Sequence, residues 1–598
     1  MRRFFSTPVM FLCGVWAVFI LTGCPGGQDN GGPRNTPFKG AVQTVPVSEN
    51  NLIISTSHDE IPSSPNEQGE RLPDPLPARE GEHASTEPQV AKTLTVTIFG
   101  GRGQQLVAWI APTSCAVDSY VAWFDTQQQH VATGMAIDDP IPHEPLTVSV
   151  SCDGQSVTHV LAKQTVFMTQ AAFAVVNPQG AVSTWGGHEY GGHSPTIQGV
   201  RQLTANEWAF AAWHTDGHVT AWGRSHDYNS ARLHGLSEGA SVMFRSIHPT
   251  KYGFIMLSAS KESVASSEPV LLGSILPHYV CSMDKRLYAK TPADISSRLP
   301  EMAQVVATQG AYAVLLKDGS VLTWGEPGAG HDDEALPKRL TGITHVYANE
   351  SQFVAKKSDG HIVVWGADLP FRSYQDEKVT ALHGTRQIIV ASQQDGTFFL
   401  IAPWQRYPLT RFSLKSASTM SKIRGVFATQ NAFAILRRNG VLEIWDDSVA
   451  YPNLEPTLIR HNVRTVATTE QAFAILMQDG HVETWGDPVL GGNTRAVASQ
   501  LYPVVTLTAN DYAFAALRAD GTVITWGMPT QGGDSSSVRA LLTNVRAVYA
   551  TSLGGFLAIR EDGRLVTWGD VSAGGRLPAL NLSVQRFVPS SAQNKGMG

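Results

Sequence analysis

One phrase recurs along this chain of 598 residues. Residues 511–527 read DYAFAALRADGTVITWG, residues 471–486 read QAFAILMQDGHVETWG and residues 310–325 read GAYAVLLKDGSVLTWG. An alanine- and aromatic-rich run, a tight turn, a β-branched run and Trp-Gly return about every 41 residues, and a fixed period of this size marks a stacked or radial repeat. The turn sets the register. Asp216-Gly217, Asp318-Gly319, Asp359-Gly360, Asp395-Gly396, Asp479-Gly480, Asp520-Gly521 and Asp562-Gly563 occupy matching points, and Asn439-Gly440 fills another. Such pairs suit a type I′ hairpin turn, in which both central residues take φ > 0.

The tryptophan slot falls six residues after the Asp or Asn, at Trp222, Trp324, Trp365, Ile401, Trp445, Trp485, Trp526 and Trp568, with Trp185 in an earlier copy. Ile401 is a degenerate copy. Gly191, Gly330, Gly491, Gly532 and Gly574 follow six residues after their tryptophans. A Val-rich run precedes each hairpin, so a unit holds three or four strands. A lone sheet of that size leaves an apolar face and edges exposed, and neighbouring units must cover it. Radial closure into a β-propeller leaves only short edges.

The pattern resembles the regulator-of-chromosome-condensation repeat family, with its apolar run, Asp-Gly-type turn and Val-x-x-Trp-Gly. The short period looks more like the secreted β-lactamase-inhibitor propellers of that superfamily. The resemblance covers roughly 161–585 and implies an all-β propeller. Seven copies, from Trp324 to Trp568, predict a seven-bladed unit at 295–590, preceded by irregular repeats at 161–294. The Gly-Gln-Leu-Gly tail of the eukaryotic repeat is Gly-Gly here, as at 489–494, so no nucleotide-exchange or chromatin role is carried over.

The N-terminus reads as a targeting segment. Arg2 and Arg3 precede an apolar run at 9–21, too short for a membrane span. Leu21-Thr22-Gly23-Cys24 resembles a bacterial lipobox. That resemblance implies cleavage after 1–23, acylation of Cys24 and attachment to a lipid membrane. Pro25 after the cysteine implies an outer-membrane address, facing periplasm or exterior. Residues 24–91 are rich in Gly, Pro, Ser and Asn and read as a flexible tether, with an r.m.s. reach on the order of 45 Å. Residues 92–160 alternate like strands without the repeat, predicting a small β-sandwich-like domain. Its Cys115 and Cys152 are expected to pair in an oxidising compartment; Cys281 is left as a buried thiol.

The formal net charge of −6 and the absence of Lys/Arg blocks speak against nucleic acid as a partner. No Walker loop, His-Glu-x-x-His motif or nucleophile elbow appears. The hairpin aspartates are read as turn residues. His188, His193, His226 and His331 lack compact ligand spacing, so no metal or other cofactor is expected. The tryptophans are read as packing residues. What remains are two post-tryptophan segments in consecutive copies: Phe371, Arg372 and Tyr374, then Trp404, Arg406 and Tyr407. Aromatics and Arg are enriched at interface hot spots, and these six are the expected partner-binding loops. The sequence thus predicts a lipid-anchored, non-catalytic envelope module that binds a protein. The alternatives are a carbohydrate-binding adhesin, which needs exposed aromatics on repeated loops, and a polysaccharide-active enzyme, which needs convergent carboxylates.

Overall fold

A computed structural model describes residues 93–578, apart from 224–243, 250–253, 259–269, 273–297, 326–339, 402–409, 413–421, 447–455 and some shorter stretches. Cys24, Cys281, Trp404, Arg406 and Tyr407 lie outside the described residues. Almost every described element is a strand.

Residues 96–161 form two antiparallel sheets, one from Val96–Phe99, Gln105–Ile110 and Ala136–Asp138, the other from Tyr120–Phe124, His130–Thr133, Leu146–Cys152 and Gln155–Leu161. Leu146–Cys152 alternates buried and half-buried, the mark of a strand with one face on a core. That core joins Ile98, Leu106, Val121, Trp123, Val148 and Val150. Cys115 and Cys152 are joined by a disulfide, with Cα atoms 6.0 Å apart.

From 166 onward the chain builds ten further sheets, each a meander of three or four strands in sequence order. In the regular copies the first strand is short and rich in β-branched residues, as in Val504–Ala509; the second is Ala/aromatic, as in Ala513–Arg518; the third ends in Trp-Gly, as in Val523–Gly527, though it ends in Ile401 at Phe398–Ile401 and in Trp-Asp at Leu442–Asp446. Second and third strands pair so that the tryptophan faces an aromatic residue: Trp526 opposite Phe514, Trp568 opposite Phe556, Trp185 opposite Phe173. The rings stack with centroids 5.1–5.5 Å apart, a geometry that adds about 0.5–1.5 kcal/mol to simple burial.

The hairpin turn differs from the expected type I′. Its glycine is left-handed, at φ +79° for Gly319 and +96° for Gly480, but among the described residues none of the turn aspartates has positive φ. The Gly319 N–H donates to the Leu316 carbonyl, so an ordinary turn precedes the left-handed glycine. Aspartate serves as an acceptor instead. Its Oδ1 takes the backbone N–H two residues on: Ser320 to Asp318 at 2.8 Å, His481 to Asp479 at 3.0 Å, Thr522 to Asp520 at 2.9 Å and Arg564 to Asp562 at 3.0 Å. Asn439 does the same for Val441. The residue type is fixed by this local hydrogen bond, not by a need for φ > 0.

Several neighbouring sheets are latched through a tryptophan, whereas the buried indole nitrogens of Trp324 and Trp365 have no hydrogen-bond partner among the described residues. Trp222 Nε1 donates to the Gly191 carbonyl at 3.1 Å, Trp526 to Gly491 at 3.0 Å and Trp568 to Gly532 at 3.1 Å. Each acceptor belongs to the Gly-Gly turn of the preceding copy. Gly491 sits at φ +98°, and a Cβ there would lie 2.5 Å from the Phe514 ring. First strands of successive sheets also approach one another, and backbone bonds run between their end turns: Gln430 N–H to Glu470 O, Glu470 N–H to Asp511 O and Asp511 N–H to Ser552 O.

The same joints connect the last sheet to the first. Trp185 Nε1 donates to Gly574 O at 3.0 Å, and Leu553 N–H donates to Gln170 O. Val166, Phe173 and Trp185 share a core with Tyr549, Leu557 and Leu565. The fold is therefore a β-propeller, and the 545–569 sheet has the 166–186 sheet as its neighbour. The regular copies do not close on themselves at that point; the irregular region supplies the next sheet. A worn copy lacking turn and Trp still forms a sheet, from Phe244–Pro249, Phe254–Ser258 and Val270–Leu272.

Candidate functional site

The first strand is terminal in each propeller sheet, so it presents a free inner edge. Nine of these strands share one irregularity: the register shifts around the second residue of the first strand. A bulge bends the strand and re-aims the extra side chain. At this position stand Arg201, Arg245, Ala303, Thr344, Thr380, Arg424, Arg464, Val505 and Arg546. At the other end of the strand a Thr or Asn leads into the turn, followed by Gln170, Glu207, Glu350, Gln430, Glu470 or Asp511. One end of the inner circle thus mixes arginines with small, hydroxyl and apolar residues, and the other carries carboxylates and amides.

The N-terminal domain lies against these inner edges. Gly100 N–H donates to the Arg546 carbonyl at 2.8 Å, the Arg546 guanidinium lies 5.3 Å from the Phe99 ring centre, and Phe99 and Val107 are buried with Val505, Val545 and Val548. Each such apolar side chain contributes about 1.5–3 kcal/mol on full burial. Lys163 Nζ reaches the Arg201 carbonyl at 2.9 Å. Arg102 is the rivet of this contact. It is buried, pairs with Asp139 at 2.7 Å and donates to the carbonyls of Ala162, Ile141 and Glu144. Its own carbonyl accepts from the Tyr549 hydroxyl at 3.4 Å. Burial pushes the Tyr549 phenol upward, with Asp139 adding to the effect.

Beyond this contact, Asp138 feels the charge of Arg424. Burial raises its carboxyl above the usual range, while the Arg424 charge and a hydrogen bond from Gln105 pull it down. Arg464, on the next first strand, is pushed down mainly by burial; Asp479 opposes this and Arg424 adds to it. At the opposite rim Tyr512 is pushed up to about 12, first by burial and then by Asp511, Glu470 and Asp570. Gln170 Nε2 donates to Glu207 at 3.0 Å, and Gln471 Nε2 donates to Gln430 at 3.2 Å.

The expected binding loops take another form. Phe371, Arg372 and Tyr374 belong to a fourth strand, Leu369–Tyr374, which pairs Val364 with Arg372 and Ile362 with Tyr374. Phe371 packs on the core of Ile343, Phe353 and Trp365, and Tyr374 packs on that of Ile362, Val379 and Leu382. Only Arg372 of the three is exposed. Apart from the half-buried Trp485, the described repeat tryptophans are buried, from Trp445 at 0% to Trp222 and Trp526 at 5% exposed; they do not offer the repeated exposed aromatics of a carbohydrate-binding rim. His188 and His193 stack at 5.9 Å. Among the described residues the His/Cys/Asp/Glu trio close enough to hold a metal is Cys115, Cys152 and Asp153, and its sulfurs form the disulfide. No described helix is long and apolar enough to cross a membrane.

No protein-family profile and no curated protein matches this chain. Solved structures similar to it include Prp20p from Saccharomyces cerevisiae, at 12% identity over 62% of this chain and 81% of that one, with a TM-score of 0.23. Yeast RCC1 (Prp20) bound to Kap60 gives 11% identity over 70% and 86%, at 0.25. The computationally designed Ika8 protein gives 17% over 56% and 98%, at 0.26. These superpositions are loose, and the propeller assignment stands on the sheet order and latches described above.

Proposed function

We propose that this chain is a lipid-anchored bacterial envelope propeller that binds a protein partner without catalysis. The observation that supports it best is how the repeat chemistry is used. The aspartates close turns, the tryptophans latch sheets, and the glycines give them room. The side chains that change from copy to copy collect at the two ends of the first strands. One end faces the chain's own N-terminal domain. The other, with Gln170, Glu207, Glu350, Gln430 and Glu470, is the rim offered to a partner. Leu21-Thr22-Gly23-Cys24 supplies the anchor, and the tether holds the propeller off the lipid surface.

Two measurements test this reading. Metabolic labelling with a fatty-acid analogue is expected to mark the wild type and not Cys24→Ser; equal labelling refutes the anchor. Affinity capture with detergent-solubilised full-length protein is expected to recover a partner that Glu207→Lys with Glu470→Lys loses and Arg372→Ala keeps. Loss with Arg372→Ala alone moves the interface to the outer strands.

A further inference from the structure

The arginine end of the inner circle holds a pair with no settled counter-charge. Arg424 and Arg464 occupy the same bulged position on neighbouring first strands, Ile423–Ala428 and Val463–Thr468. Equivalent positions on adjacent copies project alike, so the two guanidinium groups face the same space. Arg424 is exposed and Arg464 half-buried. Arg464 donates to the Gln478 carbonyl at 2.5 Å, a neutral partner. Among the described residues, the side chain of Arg424 has no hydrogen bond and no carboxylate within ion-pair distance; Asp138 acts on it only from further off. Asp479, the acid nearest in effect to Arg464, is already engaged by His481 through its backbone N–H and its ring at 3.1 Å. Asp138 is exposed.

Two like charges brought together beside low-dielectric walls repel each other and lose hydration. An oxyanion between them relieves both, because guanidinium forks match carboxylate and phosphate oxygens. We propose that Arg424 and Arg464 form an oxyanion-binding site at the bulged ends of these two first strands, taking the carboxylate or phosphate group of a soluble ligand. The Asp138 carboxylate, whose charge Arg424 feels, selects against ligands with excess negative charge. This inference is independent of the partner-binding rim.

The test is calorimetric titration of the full-length protein with inorganic phosphate and, separately, with citrate, at ionic strength matched with sodium chloride. Saturable binding of at least one is expected. Arg424→Gln and Arg464→Gln should each weaken it tenfold or more, and Asp138→Asn should tighten it severalfold. Phosphate alone identifies a phosphoryl ligand, and citrate alone a carboxylate one. No saturable binding, or binding that both arginine variants retain with unchanged circular dichroism, overturns the proposal.

Discussion

Trp185 and Gly574 are hydrogen-bonded across 389 positions of sequence, the indole N–H donating to the carbonyl oxygen at 3.0 Å. The same bond joins Trp526 to Gly491 and Trp568 to Gly532, only 35 and 36 positions apart. The joint between the last sheet and the first is thus chemically the same as these two joints within the ring.

That equivalence predicts a matched pair of costs. Gly574→Ala sets a Cβ 2.6 Å from the Phe173 ring at φ +93°, and Gly491→Ala sets one 2.5 Å from the Phe514 ring at φ +98°. Each should lower unfolding stability by about 1–3 kcal/mol from backbone strain alone. Urea denaturation of both variants checks it. A loss for Gly491→Ala with none for Gly574→Ala would mean that the ring is open at 166–186.

Docking of the N-terminal domain has its own probe. A Cβ at Gly101 would meet the Tyr549 ring at 2.2 Å, and that ring is fixed in the core shared by the first and last sheets. Gly101→Val is expected to lift the domain and expose the joining residues 162–165 to limited proteolysis. Tyr549→Phe removes only one long hydrogen bond and should cost about 0.5–1.5 kcal/mol without opening that site. Equal resistance of Gly101→Val and wild type would show that the contact does not hold the domain.

The hairpin carboxylates predict an acid response. Asp479 is held below the usual aspartate range, chiefly by the backbone N–H of His481, and Asp359 likewise by His361. A depressed folded pKa contributes stability that is present above the unfolded value and is lost as pH falls through the folded one. Melting temperature should therefore fall from the ordinary aspartate range downward. Asp359→Asn with Asp479→Asn keeps the amide acceptor, removes the titration and should flatten that fall. An unchanged acid slope would remove these turns from the account.

Phe371 separates packing from binding. Phe371→Ala opens space beside Phe353 and Trp365 and is expected to cost about 1–3 kcal/mol, below the 3–5 kcal/mol of a fully buried Phe. Arg372→Ala should stay within about 0.5 kcal/mol, as exposed substitutions do. Chemical denaturation of the two variants gives both numbers. The reverse order would return Phe371 to the surface.

Much of the fold was written in local chemistry. Trp526 opposite Phe514, the glycine of each turn and the alternation of Leu146–Cys152 follow from side-chain period and backbone sterics, which act within a few residues. The seam was not legible, because Trp185 looks like every other latch tryptophan and nothing near it says that its acceptor is Gly574. The segment Phe371–Tyr374 misled for a related reason. The stretch after the tryptophan has two fates: a fourth strand at Leu369–Tyr374, Thr410–Phe412 and Leu458–Arg460, or a short turn into Gly-Gly, as at Pro529–Gln531. Only the sheet ladder decides between them. Arg424 and Arg464 were passed over because no run of basic residues marks them; the bulge register brings them together.

The repeated latch also bears on where such a chain has to begin. Because the bond from Trp185 to Gly574 is of one kind with the bond from Trp526 to Gly491, the seam between the last sheet and the first does not differ in kind from that joint. The peptide connection between two successive sheets adds little that the indole, the glycine carbonyl and the facing aromatic ring do not already supply. A gene cut at another Gly-Gly turn and rejoined from Leu577 through a short linker to Val166 would encode the same circle with its ends elsewhere. In that sense the order of copies along the polypeptide is a history of duplication, whereas the assembled object has only neighbours.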